Sequence, residues 1–245
     1  MPRYKLLLEY NGSNYAGWQI QPNISSIQGK IQEAIKCFCQ ETTTVYGSGR
    51  TDAGVHALGQ VAHFDLLVDK DPNELFRALN YYLRGSDISV LNATKVSDEF
   101  HARFSASGRE YRYDIINRYP TSPLKQGLAW HVRFVLDIES MKEAASLLVG
   151  THDFASFRSI ECQSKSSIKT IDHITLERID DIISIKIGAR SFLHNQVRII
   201  VGTLVEIGSG RRDPSDINRL LLEKDRKQAG PTAPPHGLYF LKASY

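Results

Sequence analysis

Gly47-Ser48-Gly49-Arg50-Thr51-Asp52-Ala53-Gly54-Val55-His56-Ala57-Leu58-Gly59-Gln60-Val61-Ala62-His63-Phe64 sets a carboxylate, a guanidinium and an imidazole among glycines, just ahead of a strand-like run. Glycine lets a backbone approach a ligand closely and supplies turns that a Cβ blocks. A carboxylate beside an arginine is favoured in its charged form. The combination suits Asp52 as an ionised nucleophile or base rather than a proton donor. An aspartate in a glycine-rich loop is more often a turn or cap residue. Crowding of Arg50, Thr51, Asp52 and His56 into one short loop weakens that reading.

Other glycine-rich chemistries are excluded by spacing. The stretch lacks the Gly-Lys-Ser/Thr that grips phosphates and magnesium. No third glycine completes a dinucleotide fingerprint after Gly47 and Gly49. The chain has no Gly-x-Ser-x-Gly elbow, so a serine hydrolase is unsupported.

Outward from the loop, strands and helices alternate. Residues 3–10 read as a buried strand ended by Asn11-Gly12. Ser25-Ser26-Ile27-Gln28 has capping-box spacing, and Ile27, Ile31, Ala34, Ile35 and Phe38 recur at helical spacing to about Glu41. Strands are expected near Val45 and from Gln60 to Leu67. Asp71-Pro72-Asn73-Glu74 starts a helix running to about Leu83, and residues 87–97 read as a strand.

The remainder follows a similar grammar. A strand covers 110–117, a helix runs from about Ser140 to Leu148, and strands are expected at 168–178 and 182–189. A helix carrying Leu193, Val197, Ile200, Leu204 and Ile207 ends at Gly208. Asp213-Pro214-Ser215-Asp216 opens the last helix, and 237–244 is the closing strand. This pattern predicts an α+β fold of two comparable halves, 1–104 and 105–245, with mostly antiparallel sheet.

The 245 residues are 42% hydrophobic and 23% charged, ordinary for a soluble globular protein. No run is long enough to cross a bilayer, and the N-terminus lacks the apolar core of a signal peptide, so a cytoplasmic protein is expected. Cys37, Cys39 and Cys162 lack metal-site spacing and read as buried free thiols. The net charge of +3 is unevenly spread: residues 101–133 hold 6 Lys/Arg against 2 Asp/Glu. Phe100, Phe104, Tyr111, Tyr113 and Tyr119 are interleaved with Arg103, Arg109, Arg112 and Arg118 there. Arginine mixed with aromatics suits looped or single-stranded RNA, although solvated strand arginines give the same composition. His56 and His63 read as structural. Trp18 and Trp130 serve equally as core anchors or RNA platforms.

Gly49-Arg50-Thr51-Asp52-Ala53-Gly54-Val55-His56-Ala57 resembles the active-site motif of the tRNA pseudouridine synthase A (TruA) family. Tyr10–Gln19, Phe100–Ala106 with Tyr111-Arg112-Tyr113, Phe154–Arg158, Phe192–Arg198 and Thr232–Tyr239 are similar to that family's other motifs. They stand in the same order along essentially the whole chain, with no departure at a position tied to catalysis. The resemblance implies a pseudouridine synthase fold with an RNA-binding cleft between two similar halves. It implies conversion of uridine to pseudouridine at nucleotide positions 38, 39 and 40 in the anticodon arm of tRNA. By residue-level transfer Asp52 is the catalytic nucleophile and Tyr111 stacks on the target base. Arg50 and Arg198 are the basic partners near carboxylate and RNA. A homodimer is implied, with no metal or organic cofactor, because the isomerisation is redox-neutral. The alternatives are a non-catalytic RNA-binding module and a small-molecule hydrolase using Asp52.

Overall fold

The computed structural model describes all residues, Met1–Tyr245, and divides into two compact units. Unit one is Met1–Ser107 with Tyr239–Tyr245, and unit two is Gly108–Leu238. The first boundary falls three residues beyond the expected 104. The closing strand, grouped with the second half on sequence order, belongs to unit one.

In unit one, β1 (Arg3–Tyr10) lies between β3 (His56–Asp65) and β4 (Ile88–Val96), antiparallel to both. The short β2 (Tyr46–Gly47) pairs with the outer part of β3, and β10 (Leu238–Ser244) runs parallel to its start. Alternation along β1 buries Tyr4, Leu6, Leu8 and Tyr10. β3 is buried along nearly its whole length, because paired strands flank it and side chains pack on both faces. It begins at His56, four residues before the expected Gln60: the polar and glycine-containing start hid a strand whose neighbours cover it.

The helices α1 (Ile27–Cys39) and α2 (Pro72–Tyr82) pack together, with α2 also lying on β4. Ile27, Ile31, Ala34 and Ile35 form the buried stripe of α1, as their spacing predicts. Its cap is Ser26, whose hydroxyl accepts from the Gly29 N–H at 3.2 Å. Gln28 takes no part in a reciprocal cap; it donates to the Val45 carbonyl and accepts from the Ile20 N–H. The helix stops at Gln40, in the left-handed region at φ 58°, rather than at Glu41. Asp71 caps α2 by accepting from the Asn73 and Glu74 N–H groups, as expected.

In unit two, β5 (Gly108–Asn117), β9 (Ile182–Ala189), β8 (Ile168–Ile179) and β7 (Gly150–Asp153) form an antiparallel run, with β6 (Trp130–Val132) parallel to β5. The sheet of each unit thus carries one parallel pairing among antiparallel ones. Helix α3 (Ile138–Ser146) starts two residues earlier than expected, capped by Asp137. It packs on β8 and on α4 (Gln196–Gly208), while α5 (Asp216–Glu223) sits beside residues 155–157. Helix α4 is buried on almost every side rather than along one stripe, and Leu193 precedes it instead of belonging to it. No helix is long and apolar enough to cross a membrane. Of the three thiols only Cys39 is buried; Cys37 is exposed, on the outer face of α1.

His63 is the buried titratable group of β3. Its Nδ1 accepts from the Ala102 N–H at 3.1 Å, and its ring stacks on Tyr46 with centroids 5.1 Å apart. Burial, with the nearby His101 ring and Arg3 guanidinium, drives its pKa down from 6.5 to about 4, opposed by Asp65. The unfolded chain therefore takes up this proton first as pH falls, and stability is lost between about 6.5 and 4. His101 is shifted the same way. Urea titrations should show the unfolding midpoint falling across that window. In His63→Gln, whose amide oxygen still accepts from Ala102, the fall should be shallower. Equal slopes in the two proteins would contradict this role.

Candidate active site

The carboxylate loop lies on a scaffold of main-chain contacts. After the loop, β3 begins; before it, β2 pairs back on β3, so both loop ends leave the same strand pair. Asp52 opens a tight turn in which its carbonyl accepts from the Val55 N–H at 3.1 Å. Gly54 takes the left-handed position of that turn at φ 77°, where a Cβ is disfavoured. Asp52 is half-buried, Thr51 buried, and Arg50 and Ala53 exposed.

The segment after β1 braces this turn from the other side. A register shift between Leu8 and Tyr10 sets Tyr10 opposite Ala57, at the foot of the loop. Gly12 lies so close to the Val55 carbonyl that any Cβ would overlap it. Its N–H donates to His56 Nδ1 at 3.1 Å, which assigns the remaining ring proton to Nε2. Gly17, at φ 99°, lies against the backbone of Thr51, Asp52 and Ala53. The Trp18 N–H donates to the Thr51 carbonyl at 2.9 Å. The Trp18 ring is buried against Gly47, so it is a core anchor and not an RNA platform.

Beneath the loop runs a buried polar network. The Tyr10 and Thr51 hydroxyls share a hydrogen bond of 2.8 Å. The Ser48 hydroxyl donates to Gln60 Oε1 at 2.6 Å, and Gln60 Nε2 donates to the Gly49 carbonyl at 2.8 Å. Burial, opposed by hydrogen bonds from Thr51 and Gln60, pushes the Tyr10 phenol up to about 12, so it is neutral throughout the physiological range. Buried polar groups are costly unless satisfied, so the network specifies one loop conformation. Sequence reasoning missed Tyr10, Gly12, Gly17, Ser48 and Gln60 as builders of the site. The available signal was polar residues inside apolar strand patterns, and glycines just past a strand end.

Tyr111 and Arg198 lie in unit two. Tyr111 is on β5 opposite Ile187, half-buried, with its ring edge-on to Phe192 at 5.2 Å. Tyr113, on the same face, is buried; its hydroxyl donates to the Pro234 carbonyl at 2.7 Å. Burial raises its pKa far above the ordinary phenol value. Arg198 stands in the first turn of α4. Its Nε donates to the Ala233 carbonyl and Nη1 to Asn195 Oδ1, each at 2.8 Å. The Ala233 N–H returns a bond to the Arg198 carbonyl at 3.1 Å. The guanidinium is therefore aimed by two fixed acceptors, with Asn195 itself in the left-handed region at φ 62°.

The basic stretch 101–133 divides. Arg112 pairs with Asp114 at 3.1 Å on the face of β5 opposite Tyr111. Arg109 donates to the Arg190 carbonyl, and Arg118 pairs with Asp181 at 3.1 Å. These three arginines build unit two. His56 and His63 are structural, as expected: both are buried and accept main-chain N–H groups.

A polar loop with a half-buried carboxylate, fixed by backbone contacts and buried hydroxyls, is built to place that carboxylate rather than to let it move. Gly17→Ala should drive a Cβ into the Thr51–Ala53 backbone. Destabilisation of about 1–3 kcal/mol is expected in thermal or urea unfolding. A variant as stable as the parent would show that the loop yields. For the hydroxyl pair, a Tyr10→Phe/Thr51→Val double-mutant cycle should return a coupling of about 1 kcal/mol, and additive losses would contradict the pairing.

Comparison with known proteins shows the family. The family model described as tRNA pseudouridine synthase matches residues 7–105 and 144–245. The tRNA pseudouridine synthase A of Ehrlichia canis is 54% identical over 244 residues, covering 99% of this chain and all of its own. That of Anaplasma phagocytophilum is 51% identical, over 99% of this chain and its full length. That of Parvibaculum lavamentivorans is 49% identical over the full length of both. Among solved structures, a Cbf5–Nop10–Gar1 complex aligns with 82% of this chain and 54% of its own, at TM-score 0.34 and 12% identity, too distant to add to the case. With matches running from β1 to β10 and half of all positions identical, the chain belongs to the tRNA pseudouridine synthase family.

Proposed function

We propose that this protein isomerises uridine to pseudouridine at nucleotide positions 38, 39 and 40 in the anticodon arm of tRNA, with Asp52 as the catalytic nucleophile. The observation that carries the reading is the clamped Asp52–Val55 turn, which holds a half-buried carboxylate on main-chain contacts from Gly12 and Gly17. Relatives about half identical over the whole chain carry the name tRNA pseudouridine synthase A. Family membership and the loop together favour this activity over a passive RNA-binding module, which gains nothing from a carboxylate presented to RNA.

The reaction breaks the C1′–N1 glycosidic bond, turns the freed uracil and joins C5 to C1′. No electrons are gained or lost, so no redox cofactor is required. Asp52 begins it by attack at C1′, by attack at C6, or by removing the 2′ proton to give a glycal. After C5 bonds to C1′, the C5 proton leaves, and a tyrosine stacked on the base stands near it. Tyr111 takes that position in this reading, while Arg50 and Arg198 serve the carboxylate and the RNA. The target base must first leave its stack, at a cost of roughly a few kcal/mol that phosphate contacts offset. The same reading makes the protein a cytoplasmic homodimer, which sedimentation would verify.

Transfer RNA labelled with tritium at uridine C5 should release the label when incubated with the protein. Asp52→Asn should abolish release while retaining tRNA affinity; normal turnover by this variant would remove Asp52 from the mechanism. Deuterium at C2′ should slow the reaction several-fold under the glycal route and leave it unchanged under the other two.

A further inference from the structure

The turn that follows β4 holds aromatic rings outward with unusual firmness. The Ser105 N–H donates to the His101 carbonyl, and the His101 N–H donates to Ser105 Oγ, both at 2.9 Å. His101 Nδ1 accepts from the N–H groups of Arg103 at 3.1 Å and Phe104 at 3.3 Å. The middle of the turn is tied down as well. The Ala102 N–H donates to the buried His63, and its carbonyl accepts from the Tyr245 hydroxyl at 2.7 Å.

At the tip, Phe104 is 76% exposed, although its ring lies 4.4 Å from that of His101 and the Arg103 guanidinium is 5.6 Å from its centroid. His101 also lies 5.6 Å from Tyr46, which is 48% exposed and stacked on His63. Two exposed flat rings thus lie within 5.6 Å of a third, and an imidazole backs each. Scattered apolar side chains on a surface need no explanation. Rings held apart from the core by a main-chain hydrogen-bond network are not scattered.

The chemistry of the surroundings selects the occupant. A peptide side chain seeks an apolar groove, whereas a nucleobase needs a flat π face with a cation nearby for its phosphate. The turn sets the cationic Arg103 just past acidic Asp98 and Glu99, while Arg3 neutralises the neighbouring Asp65 at 2.7 Å. The Lys5 ammonium, over the Phe100 ring at 5.8 Å, adds a second cation.

We propose that Tyr46, His101 and Phe104 form a stacking platform for an unpaired nucleobase of the RNA substrate, with Arg103 taking the adjoining phosphate. The proposal rests on the RNA reading above and adds a subsite to it. Phe104→Leu keeps an apolar side chain on an exposed turn but removes the π face. It should weaken tRNA binding, read by fluorescence anisotropy, by about 5- to 50-fold. The slope of affinity against salt should not change, because no charge is removed. Phe104→Trp should bind tRNA as the parent does, and its added indole emission should be quenched on complex formation. Parental affinity in the leucine variant, or tryptophan emission that tRNA leaves unchanged, would overturn the platform. The quench does not depend on turnover. Quenching in a protein that releases no tritium would sink the catalytic reading alone, and turnover without quenching would sink the platform alone.

Discussion

The close approach of Gly12 and Gly17 to the backbone of residues 51–55 is the constraint on which the carboxylate loop depends. Glycine is required there because atoms of the neighbouring main chain occupy the space of a Cβ. This contact fixes Asp52 through its peptide. Hydrogen bonds from Trp18 to Thr51, from Val55 to Asp52 and from Gly12 to His56 lock the same turn. Under the proposed function, a carboxylate positioned in this way does not need to recruit its geometry from bound RNA, which lowers the reorganisation needed during reaction.

The rest of unit one serves that contact. The register shift at the end of β1 turns Tyr10 under the loop, and the early start of β3 provides the far wall. Tyr10, Thr51, Ser48 and Gln60 replace water beneath the loop with internal partners. In unit two the same device recurs at Arg198, whose guanidinium is aimed by the Ala233 carbonyl and by Asn195. Both units thus commit hydrogen bonds to positioning one charged residue.

Much of this was legible in the sequence, and the reasons differ by element. The stripe of α1 and the alternation of β1 follow from local periodicity, and Asp71 capped α2 as its type predicts. The motif around Asp52 pointed to the family to which the chain belongs. Pairing between distant segments was not legible. Periodicity cannot show that β10 runs beside β3 in the first unit, or that α4 is covered on all sides. Nor does a strand signal survive when it opens with His56, Ala57, Leu58 and Gly59. The glycines of residues 12 and 17 carried a motif, but their purpose emerges only when the loop they touch is in place. Composition also overstated the basic stretch: Arg109, Arg112 and Arg118 make contacts within unit two, whereas Arg103 lies beside the exposed rings.

The central claim is that the loop fixes where the carboxylate stands, not merely that a carboxylate is present. Single-turnover kinetics of Asp52→Glu test it most directly, since the charge is kept and moved by one methylene. A displacement of about 1 Å in a rigid site is expected to slow the chemical step by about 100-fold, with tRNA affinity unchanged. Turnover by Asp52→Glu at the parental rate would show that the loop adapts and that its clamped geometry is not what makes Asp52 effective.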